Sequence, residues 1–489
     1  MLRRCGIFLL GFGIFFSFCG DTFAAKKPEP AAPAPKDFSY SWLSEKNFEQ
    51  MKKEASERGL RKISSTVELN DDMMSSDFRK FRERFLAIHS ASELDDLLRQ
   101  MDENYDSYPE DLKLVAANLI PLRSFRSIIY RSIPLVSKAK VTHSLLLTAV
   151  QETAQMQQIF LPTDQWKAGF DYVTQPFSSL DKQFKSMNEL QEFFASVVYA
   201  DLAKSAQRIA ALNFSKKAVV WDNQLLYGSA SFVDQVDRYR KIGEAERFAM
   251  LAGIHGSLHN ISVLRAYDME PFFRLMEGLG KLWGVSALLW NPVDGAAAEN
   301  RVAKIREFPD CFRLNVNGRP WMERAFRHLQ QSVYYSSLAW SELKNQPASH
   351  LQVLDSGMFR AFNREITLSL SAMEGMVKGP IEMRSFVTGK TLQVDLPSFY
   401  SNPPESLQNL LPTKFEQGPE FFQKKAAGSE EVLKYRNYLK GRAIGWEISA
   451  FKPYFPGLKN DGDVAEAARI LSQAWGGGLL AAPMMPALQ

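Results

Sequence analysis

The feature that most constrains this chain is the helical spacing of its apolar residues. After Ser186 and Glu189, which form a capping-box pattern, apolar side chains recur every three or four residues: Leu190, Phe193, Phe194, Val197, Val198, Leu202 and Ile209. Residues at this spacing lie on one face of an α-helix. The stretch therefore predicts a helix that buries this face against other elements.

The same pattern recurs along most of the chain. Predicted helices follow Ser90 with Glu93, Ser107 with Glu110, Pro320, and Ser429. The Pro320 helix is predicted to bury Met322, Ala325, Leu329, Val333 and Trp340, and the Ser429 helix to carry Val432, Tyr435, Leu439 and Trp446. These patterns predict a mainly α fold: a large packed helical body of antiparallel helix pairs.

Two or three isolated β-hairpins interrupt the predicted helices. Short apolar runs flank turn-forming residues in segments 219–227, 312–321 and 385–394, with Asn317-Gly318 as the second turn. Strands and helices do not alternate along the chain, which disfavours doubly wound folds. No repeat of thirty to forty residues is found, which disfavours a regular solenoid.

The two ends of the chain predict export and tethering. Residues 1–24 read as a signal peptide, because Arg3 and Arg4 precede an apolar run too short for a permanent membrane span. Cys19 is a candidate lipidation site, although Phe18 departs from the expected small residue. We divide the rest into a Pro/Ala-rich spacer (25–37), an N-terminal helical region (38–290), a C-terminal helical region with hairpins (291–475), and a Gly-rich hinge with an apolar tail (476–489).

The cysteines and the charges exclude some classes of protein. If the leader is removed, Cys311 is the cysteine that remains, so a disulfide framework is excluded, and Cys311 reads as a buried apolar residue. The 59 basic and 55 acidic residues nearly balance, which disfavours nucleic acid as a partner. Hydrophobic residues make up 45% of the chain, which excludes a mainly disordered protein.

A pair of histidines is the sharpest metal-binding candidate. His255 and His259 are four residues apart, a spacing at which two imidazoles on one helical face can bind zinc. Gly256 stands where a metalloprotease has its glutamate, and no third ligand is indicated. The alternative places both histidines on the shoulder of a buried apolar stripe, with Gly253 and Gly256 allowing another helix to approach. We expect no resident cofactor, with zinc as the alternative.

The predicted Pro320 helix carries a second candidate site. Trp321, His328, Tyr335 and Glu342 recur every seven residues and so share one line along the helix. This line either borders a cleft, with Trp321 and Tyr335 binding a ligand and His328 or Glu342 moving protons, or forms the solvent-facing shoulder of an amphipathic helix.

Aromatic residues make up 12% of the chain, a profile typical of exported α/α-barrel carbohydrate enzymes. Such enzymes bind sugars on Trp and Tyr and use paired carboxylates, for which Asp222 beside Trp221 and Asp310 are candidates. The chain contains no phosphate-binding Gly-rich loop, Gly-x-Ser-x-Gly elbow or paired Cys-x-x-Cys motif.

The sequence therefore predicts an exported, periplasmic, non-catalytic binding or scaffolding protein with an envelope protein or polysaccharide partner. It also allows peripheral membrane contact through the tail or Cys19. A carbohydrate enzyme and a zinc protein are the alternatives.

Overall fold

The computed structural model describes residues 41–61, 69–136, 163–177, 182–215, 218–227, 238–272, 274–275, 278, 298–346, 353–354, 362–385, 388–416, 421–425, 432–436 and 443–474. The helices in chain order are α1 (Glu45–Arg61), α2 (Ser76–Leu86), α3 (Ala91–Glu103), α4 (Glu110–Leu119), α5 (Ile128–Val136), α6 (Thr163–Thr174), α7 (Met187–Phe193), α8 (Tyr199–Ala210), α9 (Gln224–Tyr227), α10 (Glu244–Ala266), α11 (Ala298–Arg306), α12 (Gly318–Leu343), α13 (Asn363–Lys378), α14 (Leu396–Ser401), α15 (Ile448–Phe451) and α16 (Asp461–Ala474).

The strands are short and pair in antiparallel twos. They are β1 (Val219–Asp222), β2 (Tyr239–Ile242), β3 (Ile381–Arg384), β4 (Thr391–Val394), β5 (Lys414–Phe415), β6 (Phe421–Lys425), β7 (Val432–Arg436) and β8 (Ala443–Gly445). The pairs are β1 with β2, β3 with β4, β5 with β8, and β6 with β7. The prediction of a mainly α body with isolated hairpins is confirmed.

Helices α10 and α12 form the centre of the described fold. They run antiparallel, because Ala266 lies against Gly318 at one end and Ala245 packs with Trp340 at the other. A Cβ on Gly318 would lie 2.4 Å from the carbonyl oxygen of Ala266, so only glycine permits this close start of α12. Helix α10 begins at a backbone turn in which the Gly243 N–H donates to the Glu246 carboxylate over 2.8 Å.

Two further helices cover this central pair. Helix α8 packs antiparallel to α10, since Arg247 near the start of α10 donates to the carbonyl oxygens of Ile209 and Ala210 at the end of α8. Helix α1 lies along α12, where Phe48 stacks on Tyr334 with 4.3 Å between ring centroids. One hydrophobic core includes residues from both predicted helical regions. The predicted boundary between them, near residue 290, lies outside the described residues.

Several local predictions about helices are confirmed. Ser90 and Ser186 cap α3 and α7, each accepting a hydrogen bond from the backbone N–H of the glutamate three residues later. The predicted core face of α12 is buried, from Met322 to Trp340. Ser107 is not a cap, because α4 begins after Pro109 and the Ser107 hydroxyl donates to the Asn104 carbonyl instead.

Of the three predicted hairpins, one is confirmed in part and two are wrong. A hairpin exists near 385–394 as β3–β4, with Gly389 at a positive φ of 72° in its loop. Its second strand matches the prediction, but its first strand is Ile381–Arg384, before the predicted strand at 385–387. In the 219–227 segment, β1 pairs with the distant β2, and the predicted second strand is helix α9. Asn317-Gly318 is not a hairpin turn, since Asn317 precedes α12 directly. The predicted Ser429 helix is wrong as well, because β7 pairs there with β6.

The described helices include none that is long enough and apolar enough to cross a membrane. The predicted signal peptide, spacer and C-terminal tail, together with Cys19, lie outside the described residues.

Candidate functional site

A group of buried aromatic and imidazole side chains lies where α8, α10, α12 and the segment before α1 meet. Its members are His255 on α10, His328 and Tyr335 on α12, Tyr199 at the start of α8, and Trp42. We call these residues the buried histidine cluster. Both imidazoles have 0% exposed surface, and the two tyrosines each have 6%. Helices on several sides of α12 therefore seal the cluster within the core.

Hydrogen bonds join the polar atoms of the cluster into a chain. The Nδ1 atoms of His255 and His328 are 2.9 Å apart, and Nε2 of His328 is 2.7 Å from the hydroxyl oxygen of Tyr199. The His255 ring also stacks on Tyr335, with 5.6 Å between centroids and 17° between planes. The chain thus runs from α8 through α12 to α10 and connects three helices.

Burial keeps the imidazoles of this chain neutral. Desolvation lowers the pKa of His255 to about 3. Desolvation also lowers the pKa of His328 well below its usual value, and the nearby His255, His259 and Arg324 lower it further. Burial also raises the pKa of Tyr199 to about 12, so its hydroxyl keeps its proton. Two neutral imidazoles can share an N–H···N hydrogen bond, in which one Nδ1 donates and the other accepts.

The proton on His328 decides the direction of the chain. If its Nδ1 donates to His255, its Nε2 accepts from the Tyr199 hydroxyl; if its Nδ1 accepts, its Nε2 donates to the tyrosine oxygen. Both proton arrangements leave the cluster without a net charge. The cluster can therefore offer neutral ring faces and edges to an aromatic group.

A π-helical turn explains why Tyr199 faces this cluster. Residues Phe194–Val198 form the turn between α7 and α8. The wider turn changes the angular position of the residues that follow, and such turns often occur at functional sites. Val197, predicted to be buried, is 40% exposed, whereas Tyr199 is 6% exposed. The regular helical spacing read from the sequence does not anticipate this shift.

His259 belongs to a separate hydrogen-bonded pair. Its Nδ1 lies 3.1 Å from Oδ1 of Asn260, and its Nε2 lies 2.9 Å from the hydroxyl of Tyr400. Because the amide oxygen only accepts, Nδ1 donates, and Nε2 accepts from Tyr400. Burial lowers the pKa of His259 to about 4. Zinc binding through His255 and His259 would have to break bonds to His328 and Tyr400.

His255 and His259 are both buried, with 0% and 4% exposed surface, alongside the buried apolar residues of α10. Gly256 does not mark a tight helix contact, because a Cβ there would lie 3.7 Å from the nearest atom, an ordinary separation. Within the described part of the chain, no three or more His, Cys, Asp or Glu side chains are grouped to hold a metal ion.

The seven-residue line on α12 is buried along its whole length. Trp321 is 6% exposed and lies edge-on to Tyr199, and Glu342 is fully buried and accepts hydrogen bonds from the Arg58 guanidinium over 3.3 Å. The prediction that this line is a solvent-facing shoulder is therefore wrong. Its physical cause is the packing of α1, α10 and α13 around α12, which a single amphipathic pattern does not reveal.

Asp222 is the centre of an ion-pair network. Its carboxylate is fully buried and accepts from Arg82 over 2.9 Å and from Arg238 over 3.0 Å. Arg82 also bonds Asp71. It lowers the pKa of Asp71 to about 2, against the raising effect of burial and with further lowering by Tyr239 and Arg238. This network ties α2 to β1 and β2. Trp221 beside it is partly buried and packs against the core.

The remaining predicted site residues lie elsewhere. The Asp310 side chain is 67% exposed, 3.6 Å from Arg313. Cys311 is fully buried, and burial raises the pKa of its thiol, which agrees with its reading as an apolar residue. A surface depression contains one carboxylate, that of Asp171, and is lined by Ala91, Ser92, Asp171, Gln175, Pro176 and Phe177. Asp222, Asp310 and Glu342 each form ion pairs with different arginines.

Sequence reasoning missed four residues that shape the site. Tyr199 and Trp42 complete the cluster, Tyr400 bonds His259, and Gln331 holds the backbone of Leu43. Their contacts span 129 to 288 residues of sequence, so no local spacing connects them. The signal that was present is the number of uncharged polar and aromatic residues on the buried faces of α10 and α12.

Comparisons with family models, with curated proteins and with solved structures find no match to this chain.

Proposed function

We propose that this chain is an exported, periplasmic protein of the cell envelope that binds or scaffolds a partner and is not an enzyme. The observation that carries the proposal is that Asp222, Asp310 and Glu342 are each engaged in ion pairs with arginines, with Asp222 and Glu342 fully buried. Glycoside hydrolysis needs two carboxyl groups within about 5–10 Å of one another across one cleft. The carboxylates of this chain that were the best catalytic candidates act instead in ion pairs.

The burial of the polar groups supports the same proposal. Asp222, Glu342, His255 and His328 have 0% exposed surface, so substrate cannot reach them without a change in the fold. Hydrogen bonds and ion pairs between polar groups in a core fix how its helices pack. These residues therefore suit a rigid helical body that presents its outer surface to another molecule.

The sequence supplies the proposed place and partner. Residues 1–24 would direct export, and the spacer at 25–37 would hold the body away from an attachment point. The partner would be an envelope protein or a polysaccharide, with peripheral membrane contact through the apolar tail or a lipid on Cys19. The near balance of basic and acidic residues argues against nucleic acid. The proposal needs no cofactor.

Fractionation of a Gram-negative host that makes the full chain tests the proposed location. We expect the mature chain in the periplasmic or membrane fraction, with its new N-terminus after residue 24 or a lipid on Cys19 by mass spectrometry. Deletion of residues 479–489 should release the chain from a membrane or partner fraction. A chain found in the cytoplasm with residues 1–24 intact would contradict export.

A ligand screen tests the proposed class of function. Melting temperatures of the mature chain would be measured with metals, cell-wall fragments and oligosaccharides, because a ligand that binds only the folded state stabilises it. Turnover of an oligosaccharide that is lost in Asp222→Asn, Asp310→Asn or Glu342→Gln, but kept in the exposed-site control Asp72→Asn, would refute the non-catalytic proposal. Binding of a wall fragment without turnover would support it.

A further inference from the structure

Trp42 covers the buried histidine cluster from the N-terminal side of the body. Its ring lies 4.9 Å from that of His328, in an edge-on arrangement with 60° between the planes, and 6.3 Å from that of His255. Trp42 is partly exposed, whereas the other members of the cluster are buried. Its indole therefore stands between the imidazoles and the solvent.

The main chain beside Trp42 is held by one side chain. The backbone N–H of Leu43 donates to Oε1 of Gln331, and Nε2 of Gln331 donates to the Leu43 carbonyl, both over 3.0 Å. This amide recognises backbone, as a neighbouring β-strand would. The Gln331 amide holds the backbone at Leu43, and it would do so whichever side chain residue 42 carried.

Helix α1 is anchored by contacts of its own further along. Phe48 stacks on Tyr334, and Arg58 bonds Glu342. Ser56 accepts from Asn345, a third link between α1 and the end of α12. Leu43 also packs against the core, and Ser44 accepts from the backbone N–H groups of Asn47 and Phe48. These contacts do not involve the Trp42 side chain, so displacement of its indole would leave α1 docked.

The chemistry of the cluster selects the kind of group that fits there. Two neutral imidazoles and the Tyr335 ring offer aromatic faces and edges, which attract another ring in edge-on or offset arrangements. A charged group would lose its hydration with no opposite charge among the cluster residues, which disfavours it. A neutral, planar aromatic group is therefore the preferred occupant.

We propose that His255, His328, Tyr335 and Tyr199 of the cluster form a binding site for a planar aromatic group, and that Trp42 occupies this site as an intramolecular ligand. An aromatic group carried by another molecule would compete with Trp42 and displace its indole. The π-helical turn that directs Tyr199 into the cluster is a second, independent sign of a functional site. This inference goes beyond the proposed function and does not depend on export or on catalysis.

Equilibrium dialysis with indole tests the proposal. The Trp42→Ala variant should bind one equivalent of indole, at least tenfold more tightly than the unaltered chain, and the imidazole ¹⁵N resonances of His255 and His328 should shift on binding. The control Trp446→Ala removes another buried indole, 5% exposed, away from the cluster, and should leave those resonances unmoved by indole. Equal indole binding by Trp42→Ala and the unaltered chain, or unmoved imidazole resonances, would overturn the proposal.

A second variant tests the same site in case Trp42→Ala does not fold. Gln331→Leu removes the bonds to the Leu43 backbone without mutating any residue of the cluster. Trp42 should then be held less firmly, so indole should bind this variant several times more tightly than the unaltered chain. A parallel measurement with the acetylated, amidated peptide Ser-Trp-Leu-Ser distinguishes the source of the aromatic group. Tighter binding of the peptide than of indole indicates a polypeptide ligand, and the reverse indicates a small aromatic molecule. Binding of neither ligand to either variant would overturn the site.

Discussion

Acidification from pH 7 to pH 5 should destabilise the folded chain through its buried histidines. Burial lowers the pKa of His255 to about 3 and that of His259 to about 4, from an ordinary value of 6.5, and lowers the pKa of His328 as well. Below pH 6.5 these imidazoles take up protons in the unfolded chain and stay neutral in the folded one. Their contribution to stability is therefore complete above pH 6.5 and is lost as the pH falls toward the folded-state pKa values.

The size of the effect follows from the proton linkage. Each histidine that charges only on unfolding lowers the free energy of unfolding by about 1.4 kcal/mol per pH unit below its unfolded pKa. Between pH 7 and pH 5 this amounts to about 2 kcal/mol per histidine, or about 4 kcal/mol for His255 and His259 together. Asp268 and Glu270 act in the opposite direction, because burial raises their pKa values. Most other carboxylates titrate below this range.

Urea unfolding followed by circular dichroism, at constant ionic strength and at pH 7, 6 and 5, measures the slope. The variants His255→Gln and His259→Gln should each reduce the loss of stability between pH 7 and pH 5 by about 2 kcal/mol, whatever their effect at pH 7. The non-titrating, exposed-site control Val316→Ala should leave the slope unchanged. If the slope is the same in the unaltered chain and in both buried-site variants, the imidazoles titrate alike in the folded and unfolded states, and the reasoning fails.

Three further predictions concern stability at pH 7, each measured by urea unfolding. Gly256→Ala should stabilise the chain by about 0.5–1 kcal/mol, because a Cβ there meets nothing closer than 3.7 Å. Gly59→Ala should destabilise the chain, because its Cβ would lie 2.3 Å from a carbonyl oxygen. Effects of the same sign in the two variants would contradict this reasoning. Asp222→Ala should cost about 1.5–3 kcal/mol, since the buried Arg82 loses one of its two carboxylate partners and keeps only Asp71, and the exposed-site control Asp310→Ala should cost less than about 0.5 kcal/mol. Glu342→Ala should cost less than Asp222→Ala, because its arginine partner is 25% exposed and can be hydrated, and an equal loss would refute this.

The sequence predicted the helices whose local signals agree with their tertiary surroundings. Ser90 and Ser186 act as caps through bonds within a few residues, and the buried face of α12 follows the 3.6-residue period. Such features depend on neighbours in sequence, so they can be read without a fold. The β3–β4 hairpin, with Gly389 in its turn, is predictable for the same reason.

Predictions failed where a distant partner decided the local structure. Strand β1 pairs with β2 at residues 239–242 instead of the adjacent segment, and residues 432–436 form a strand because β6 lies beside them. A helical spacing of Val432 and Tyr435 cannot compete with the hydrogen bonds of a paired strand. Asn317-Gly318 begins a helix because Gly318 fits against the backbone of Ala266.

By itself the sequence determined that this chain folds into a helical body and which faces of its helices are apolar, because helix periodicity and capping are local. It also singled out His255, His328 and Tyr335 as residues of interest. Only the tertiary structure decided that they form one buried cluster with Tyr199 and Trp42. The reason is geometric: a π-helical turn, an antiparallel helix pair and an N-terminal segment bring these side chains together from separate parts of the chain, and burial then keeps the imidazoles neutral.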